Sequence, residues 1–152
     1  MRDNGSECLM TVDGTDFRIH EPMPFSQVWY SHKHCGPGLR YEIGVCIQMG
    51  WIVWVNGPYP CGDFPDLEIF RLYLKDLLRD GERVETDEGY SGDMSIRTTS
   101  DFEGNRDWKI MKACAMARHE MINGLFKRFN ILSYVYRGNR DKHYLIFHAI
   151  AC

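Results

Sequence analysis

Trp51-Ile52-Val53-Trp54-Val55 is apolar at five successive positions, without the alternation of a strand that shows one face to water. Such a run suits a strand covered on both faces, so it predicts helices packed on both sides of one sheet. The flanking segments supply the rest. Residues 39–48 read as a strand, joined to the strand at 51–56 by Met49-Gly50, a length that fits a tight hairpin. Upstream, residues 9–19 form a first strand, with Val12, Phe17 and Ile19 as strand formers and Gly14 as a bulge or point of close approach. Proline and glycine mark long loops at 21–38 and 56–62. A helix start is expected at 63–66, where acidic residues and Pro65 favour an N-terminus. Leu67, Phe70, Leu74, Leu77 and Leu78 follow at helical spacing, and Gly81 fits the residue past the end. Residues 83–87 read as a fourth strand and 94–98 as a short fifth. Residues 108–129 predict the strongest helix, with an apolar face of Ile110, Cys114, Ala117, Met121 and Leu125 flanked by Met111, Ile122, Phe126 and Phe129. A last helix is expected at 142–151.

The order β-β-β-α-β-(β)-α-α describes a mixed α/β sheet with helices on both faces, and it is compatible with a ribonuclease H-like architecture. At 152 residues, 44% hydrophobic and 26% charged, the chain is sized for one core, so 1–152 reads as a single domain. No run of about 18 apolar residues occurs, and the first seven residues hold no signal-peptide core, so the chain is expected to be soluble, not secreted and without a membrane partner. Six scattered cysteines with no Cys-x-x-Cys pair read as buried free thiols in a reducing compartment.

A net charge of −3 argues against an autonomous nucleic-acid binder. The charge is uneven, however. Residues 61–105 carry 12 acidic against 5 basic side chains, while residues 106–152 carry 9 basic against 3 acidic. That basic third offers a phosphate-facing surface, or else ordinary solvated helix faces.

Three acids stand out. Asp13 and Asp16 differ in parity, so a regular strand points them to opposite faces and only one can serve a given site. Asp13 shares the face of Phe17, and a carboxylate so deep in a core strand needs compensation, by a metal ion or by an arginine. Asp87 ends the fourth strand just before Gly89-Tyr90, open enough for an ion or simply forming a turn. Glu120 lies on a helix stripe of residues 113, 116, 120, 123 and 127, where it makes a polar edge with Asn123 and Lys127. A solvated, salt-bridged glutamate is the alternative there. Spacing alone does not separate a nuclease triad from three unrelated acids.

Several runs carry a family resemblance. They are Thr11-Val12-Asp13-Gly14-Thr15; Trp29-Tyr30-Ser31-His32-Lys33, leading to Gly36-Pro37-Gly38-Leu39-Arg40-Tyr41-Glu42; Gly50-Trp51-Ile52-Val53-Trp54; Asp87-x-Gly89-Tyr90; and Arg118-His119-Glu120-x-x-Asn123-Gly124-x-Phe126-Lys127. Together they resemble the catalytic domain of DDE transposases, in the Harbinger-related and insertion-sequence group of DDE superfamily endonucleases. The resemblance runs in order from about Leu9 to the final helix. It implies a ribonuclease H-like fold, with Asp13, Asp87 and Glu120 as catalytic residues and as ligands of Mg2+ or Mn2+. It also implies phosphodiester cleavage and strand transfer on DNA by a two-metal mechanism. DNA contacts are expected at Lys33, Arg40, Arg118, Asn123 and Lys127, and a nuclear location if the source is eukaryotic, otherwise a cytoplasmic one. The family's N-terminal helix-turn-helix region has no counterpart here, which implies a fragment, a stripped-down relative or a decayed copy. A homo-oligomer or a separate DNA-binding protein would then complete it. The rival expectation is a domesticated, catalytically silent derivative serving as a DNA- or protein-binding module.

Other residues read more plainly. His32, His34 and Cys35 lack a fourth zinc ligand and are expected to be loop polar groups. His143 and His148 are expected to be packing or surface residues. The four tryptophans are expected in the core. Gly36-Pro37-Gly38 lacks the Lys-Ser/Thr of a nucleotide loop.

Overall fold

The first strand, β1 (Cys8–Arg18), is the centre of a six-stranded mixed sheet. The computed structural model describes residues 8–102 and 106–152, so residues 1–7, where no signal core was expected, lie outside the described residues. The short β2 (Tyr30–Ser31) pairs with the beginning of β3 (Gly36–Cys46). Strand β3 runs antiparallel to β1, setting Val12 against Gly44, Gly14 against Glu42 and Asp16 against Arg40. Strand β4 (Ile52–Pro60) returns antiparallel along the other side of β3.

A crossover helix follows. Pro65 holds an extended backbone at the N-cap of α1 (Asp66–Ile69), whose first turn carries Asp66 and Glu68, and helical turns of other pitch continue it through Leu77. Gly81 then takes φ +80°, a left-handed conformation that suits glycine. Strands β5 (Arg83–Glu85) and β6 (Ile96–Arg97) add in parallel beyond β1. The chain ends in α2 (Arg106–Phe126), α3 (Asn130–Ser133) and α4 (His143–Ala151). Among the described residues no helix is long and apolar enough to cross a membrane.

Strand alternation divides the core in two. Phe17, Ile19, Leu39, Tyr41, Ile43 and Val45 pack against Ile122, Phe126, Leu132 and Phe147 from α2, α3 and α4. On the opposite face Val12 and Val84 pack with Phe70, Leu74, Tyr90 and Ile96. Each of these large apolar side chains contributes about 1.5–3 kcal/mol by leaving water. Helices therefore cover both faces of the sheet, as the sequence implies.

The strand covered on both faces is β3, not β4. Residues 38–45 are buried without interruption, whereas Trp51 is 64% and Val53 55% exposed. Strand β4 has a ladder partner on one side only, so its apolar run lies at an edge. The connection before it is also longer than the two residues expected: Cys46 and Trp51 close it, with Gly50 at φ +71°.

Helix α2 turns a different face inward from the apolar one expected. Its buried residues are Lys112, Ala115, His119, Ile122, Asn123 and Phe126, while Ile110, Met111, Met121, Leu125 and Phe129 are exposed. The reason is that its polar residues find partners on the sheet. Lys112 Nζ donates to the carbonyls of Thr86 (2.6 Å) and Arg97 (3.0 Å), and His119 Nδ1 bonds Thr11 Oγ1 at 2.8 Å. Burial drops His119 to about 4, so this ring is a neutral clamp. His143 is likewise buried, with Nδ1 2.7 Å from the Tyr41 hydroxyl. All six cysteines are free, but only Cys8 and Cys61 are fully buried; Cys35, Cys114 and Cys152 are exposed, which corrects the expectation of buried thiols.

Candidate active site

The two aspartates of β1 point to opposite faces, as their parity implies, and each has a different kind of neighbour. Asp16 faces α1 and is 3% exposed. Arg40 grips it with a fork, Nε to Oδ1 at 2.7 Å and Nη2 to Oδ2 at 2.9 Å, and Ser31 Oγ adds a bond of 2.6 Å. Burial alone would raise this carboxyl, but the hydrogen bonds from Arg40 and Ser31 outweigh it and hold the group below its ordinary value. The arginine that might have compensated Asp13 is therefore spent on Asp16.

Asp13 faces α2, where Asn123 Nδ2 donates to Oδ2 at 3.0 Å. Its carboxyl is pushed up to about 6, first by burial; Lys33 pulls it down, and the charges of Asp66, Asp87 and Glu120 push it further up. The other two predicted acids, Asp87 and Glu120, are thus within electrostatic reach of Asp13. Asp87 lies just past β5, exposed, and caps the next turn by accepting the Gly89 N–H at 2.9 Å. Lys112, bonded to the Thr86 carbonyl next door, anchors that strand end to α2. Glu120 is exposed on α2, one turn before Asn123.

Asp66 is a fourth acid that sequence reasoning missed as a site residue. It opens α1 on the opposite face and comes close because Gly14 has no side chain: a Cβ there would overlap Asp66 Oδ1. The signal was the pairing of an unexplained strand glycine with a helix-opening aspartate, which only the tertiary fold connects. Burial raises the Asp66 carboxyl although Lys33 and Arg40 oppose it. Arg40 Nε lies 3.2 Å from Asp66 Oδ1 but aims its hydrogen at Asp16, so that oxygen accepts no hydrogen bond.

Beneath the acids lie Glu42 and Tyr90, both fully buried. Glu42 Oε2 accepts the Trp54 Nε1–H at 2.9 Å, while Glu42 Oε1 and the Tyr90 hydroxyl have no partner. Burial pushes Glu42 up to about 7, Trp54 lowers it and Asp66 raises it. Folding therefore keeps a proton on Glu42 between its ordinary 4.5 and about 7, where the unfolded chain has already lost it. The stability this contributes is full below pH 4.5 and disappears as pH rises through 7. Glu42→Gln should accordingly gain ~3 kcal/mol relative to wild type across that interval in metal-free urea titrations. A difference that stays constant with pH would refute the assignment.

The residues expected to touch DNA divide. Arg40 is 8% exposed and hydrogen-bonded to Asp16, and Asn123 is buried against Asp13, so both are engaged with side chains of the protein itself. Arg118 donates Nη1 to the Ile47 carbonyl and braces α2 against the β3–β4 turn. Lys127 is exposed. Lys33 donates to the Gly14 carbonyl at 2.7 Å and stands 3.8 Å from Asp66 Oδ2, inside the acidic cluster.

The donors are carboxylate and amide oxygens, which suit Mg2+ or Mn2+ better than zinc. Their mutual repulsion at Asp13 is the kind a divalent ion relieves, so the set fits such an ion in chemistry and charge. Among the described residues, no three His, Cys, Asp or Glu side chains stand together as a group that could hold a metal ion. His32, His34 and Cys35 form no such group either, and His34 Nε2 is bonded to the Asp16 carbonyl at 2.8 Å. An apolar groove of about 790 Å3 between the end of α2 and β4 has none of the four acids in its wall. No family model, curated protein or solved structure matches the chain.

Proposed function

We propose that this chain is a metal-dependent DNA endonuclease or transposase catalytic domain of the DDE kind, on a ribonuclease H-like sheet, with Asp13, Asp87 and Glu120 as its metal ligands. The observation that carries the reading is that an acid of the central strand feels the charge of one just past its parallel neighbour and of one on the following long helix. A mixed sheet with β1 at its centre and helices on both faces supports it.

The chemistry supplied by bound Mg2+ or Mn2+ is activation of a water or a DNA 3′ hydroxyl and stabilisation of the leaving oxygen in an in-line displacement. The protein's part is orientation. Asn123 fixes the Asp13 carboxylate by its Nδ2–H. Asp87 keeps Oδ2 free while Oδ1 caps the Gly89 turn. Glu120 projects from a helix pinned to the sheet by Lys112 and His119 and to the β3–β4 turn by Arg118. Lys127, two turns along from Glu120, offers an exposed charge to a phosphate.

Purified protein should nick supercoiled plasmid DNA with Mg2+ or Mn2+ and stop when EDTA removes the ion. Mn2+ at about a hundred times its Kd should raise stability by ~2.7 kcal/mol, read as an increase in Tm. The ammonium of Lys33 inside the cluster is the one observation favouring the second reading, a silent derivative that binds DNA or protein. Absence of both nicking and Mn2+ binding would establish that reading in place of the first.

A further inference from the structure

We propose that Lys33 is a built-in counter-ion of the acidic site, its ammonium offsetting the charge of Asp66 and Asp13 without a divalent ion and swinging away when one binds. The inference rests on the metal-site reading and adds what competes with the metal. Lys33 Nζ is fixed at two points, 2.7 Å from the Gly14 carbonyl and 3.8 Å from Asp66 Oδ2. Of the charged groups around Asp13 and around Asp66, Lys33 exerts the largest influence on each. The other nearby cation, Arg40, donates its hydrogen bonds to Asp16 while its Nε also lies 3.2 Å from Asp66 Oδ1. The Lys33 ammonium therefore stands beside Asp66 and on the carbonyl of the residue that follows Asp13.

A second observation shows that the cluster's own partners leave it incomplete. The Tyr90 hydroxyl and Glu42 Oε1 are wholly buried and unpartnered, and the Tyr90 hydroxyl feels Asp66, Glu42, Asp13 and Asp87 together. Lys33 can leave at little structural cost. Its side chain is 46% exposed and belongs to the turn between β2 and β3, not to a packed element. A dication and an ammonium at this edge repel one another, so occupancy by one disfavours the other.

The test is calorimetric titration of Mn2+ into wild type, Lys33→Met and Lys33→Arg. Lys33→Met should bind Mn2+ at least about tenfold more tightly than wild type, and Lys33→Arg, which keeps the charge, should bind like wild type. In EDTA, Lys33→Met should melt below wild type, and saturating Mn2+ should abolish the gap. Binding by Lys33→Met with none in wild type would support the same competition. Equal or weaker binding by Lys33→Met overturns the counter-ion role and leaves the metal site standing. No binding by any of the three overturns the metal site, and the counter-ion role with it.

Discussion

Asparagine in place of Asp13 should leave the chain folded and lower metal-dependent nicking on the order of a thousandfold. The two readouts separate because the charge of Asp13 burdens the fold. Asn123 can still donate to the Oδ1 of an asparagine, so the contact to α2 survives the exchange. What disappears is a carboxylate that burial and the nearby acids, over the opposition of Lys33, hold up at about 6. A carboxyl raised in the folded state stabilises it below its ordinary value of 3.8, and that contribution is lost as pH rises through about 6. Asp13→Asn should therefore gain on wild type between those pH values and keep the advantage above them, measured by urea denaturation in EDTA. Intact nicking in a folded Asp13→Asn protein would remove Asp13 from the chemistry.

Removing the neighbouring aspartate should have the opposite outcome. Asp16→Ala is expected to cost ~3–5 kcal/mol, because it strands the buried Arg40 guanidinium without its carboxylate. It also deprives Ser31 of its 2.6 Å bond. Replacing both members of the pair by apolar residues, Asp16→Leu with Arg40→Met, should cost less than the single change, since no buried guanidinium is left stranded and Lys33 still faces Asp66. Asp16 has a depressed carboxyl, so the stability it contributes is present above its ordinary value of 3.8 and lost as pH falls toward the folded value. Denaturant midpoints at constant slope measure both variants. A loss under about 1 kcal/mol for Asp16→Ala would mean that the pair behaves as an exposed one.

Strand and helix order was legible in the sequence because turn chemistry punctuates it clearly. Burial was harder to read, and the errors share one cause. In β3, Leu39, Tyr41, Ile43 and Val45 alternate with Arg40, Glu42 and Gly44, the pattern of a half-exposed strand. Both faces are nevertheless buried, because Arg40 finds Asp16 and Glu42 finds Trp54. In α2 the same effect turned Lys112, His119 and Asn123 inward, toward partners more than a dozen residues distant in sequence. Periodicity weighs a residue by its own polarity, whereas burial depends on whether a partner waits on the other side. For the same reason the opposite facing of Asp13 and Asp16 was readable from parity, a local property, and the arrival of Asp66 was not.

Gly14 therefore does more than relieve crowding in a strand. The sheet separates two cores, and elsewhere along β1 a side chain blocks the view from one to the other. At this single position the missing side chain lets the first residue of α1 press against the strand backbone, next to the residue whose carboxylate α2 holds on the far side. The charge of Asp66, on one side of the sheet, therefore raises the carboxyl of Asp13 on the other.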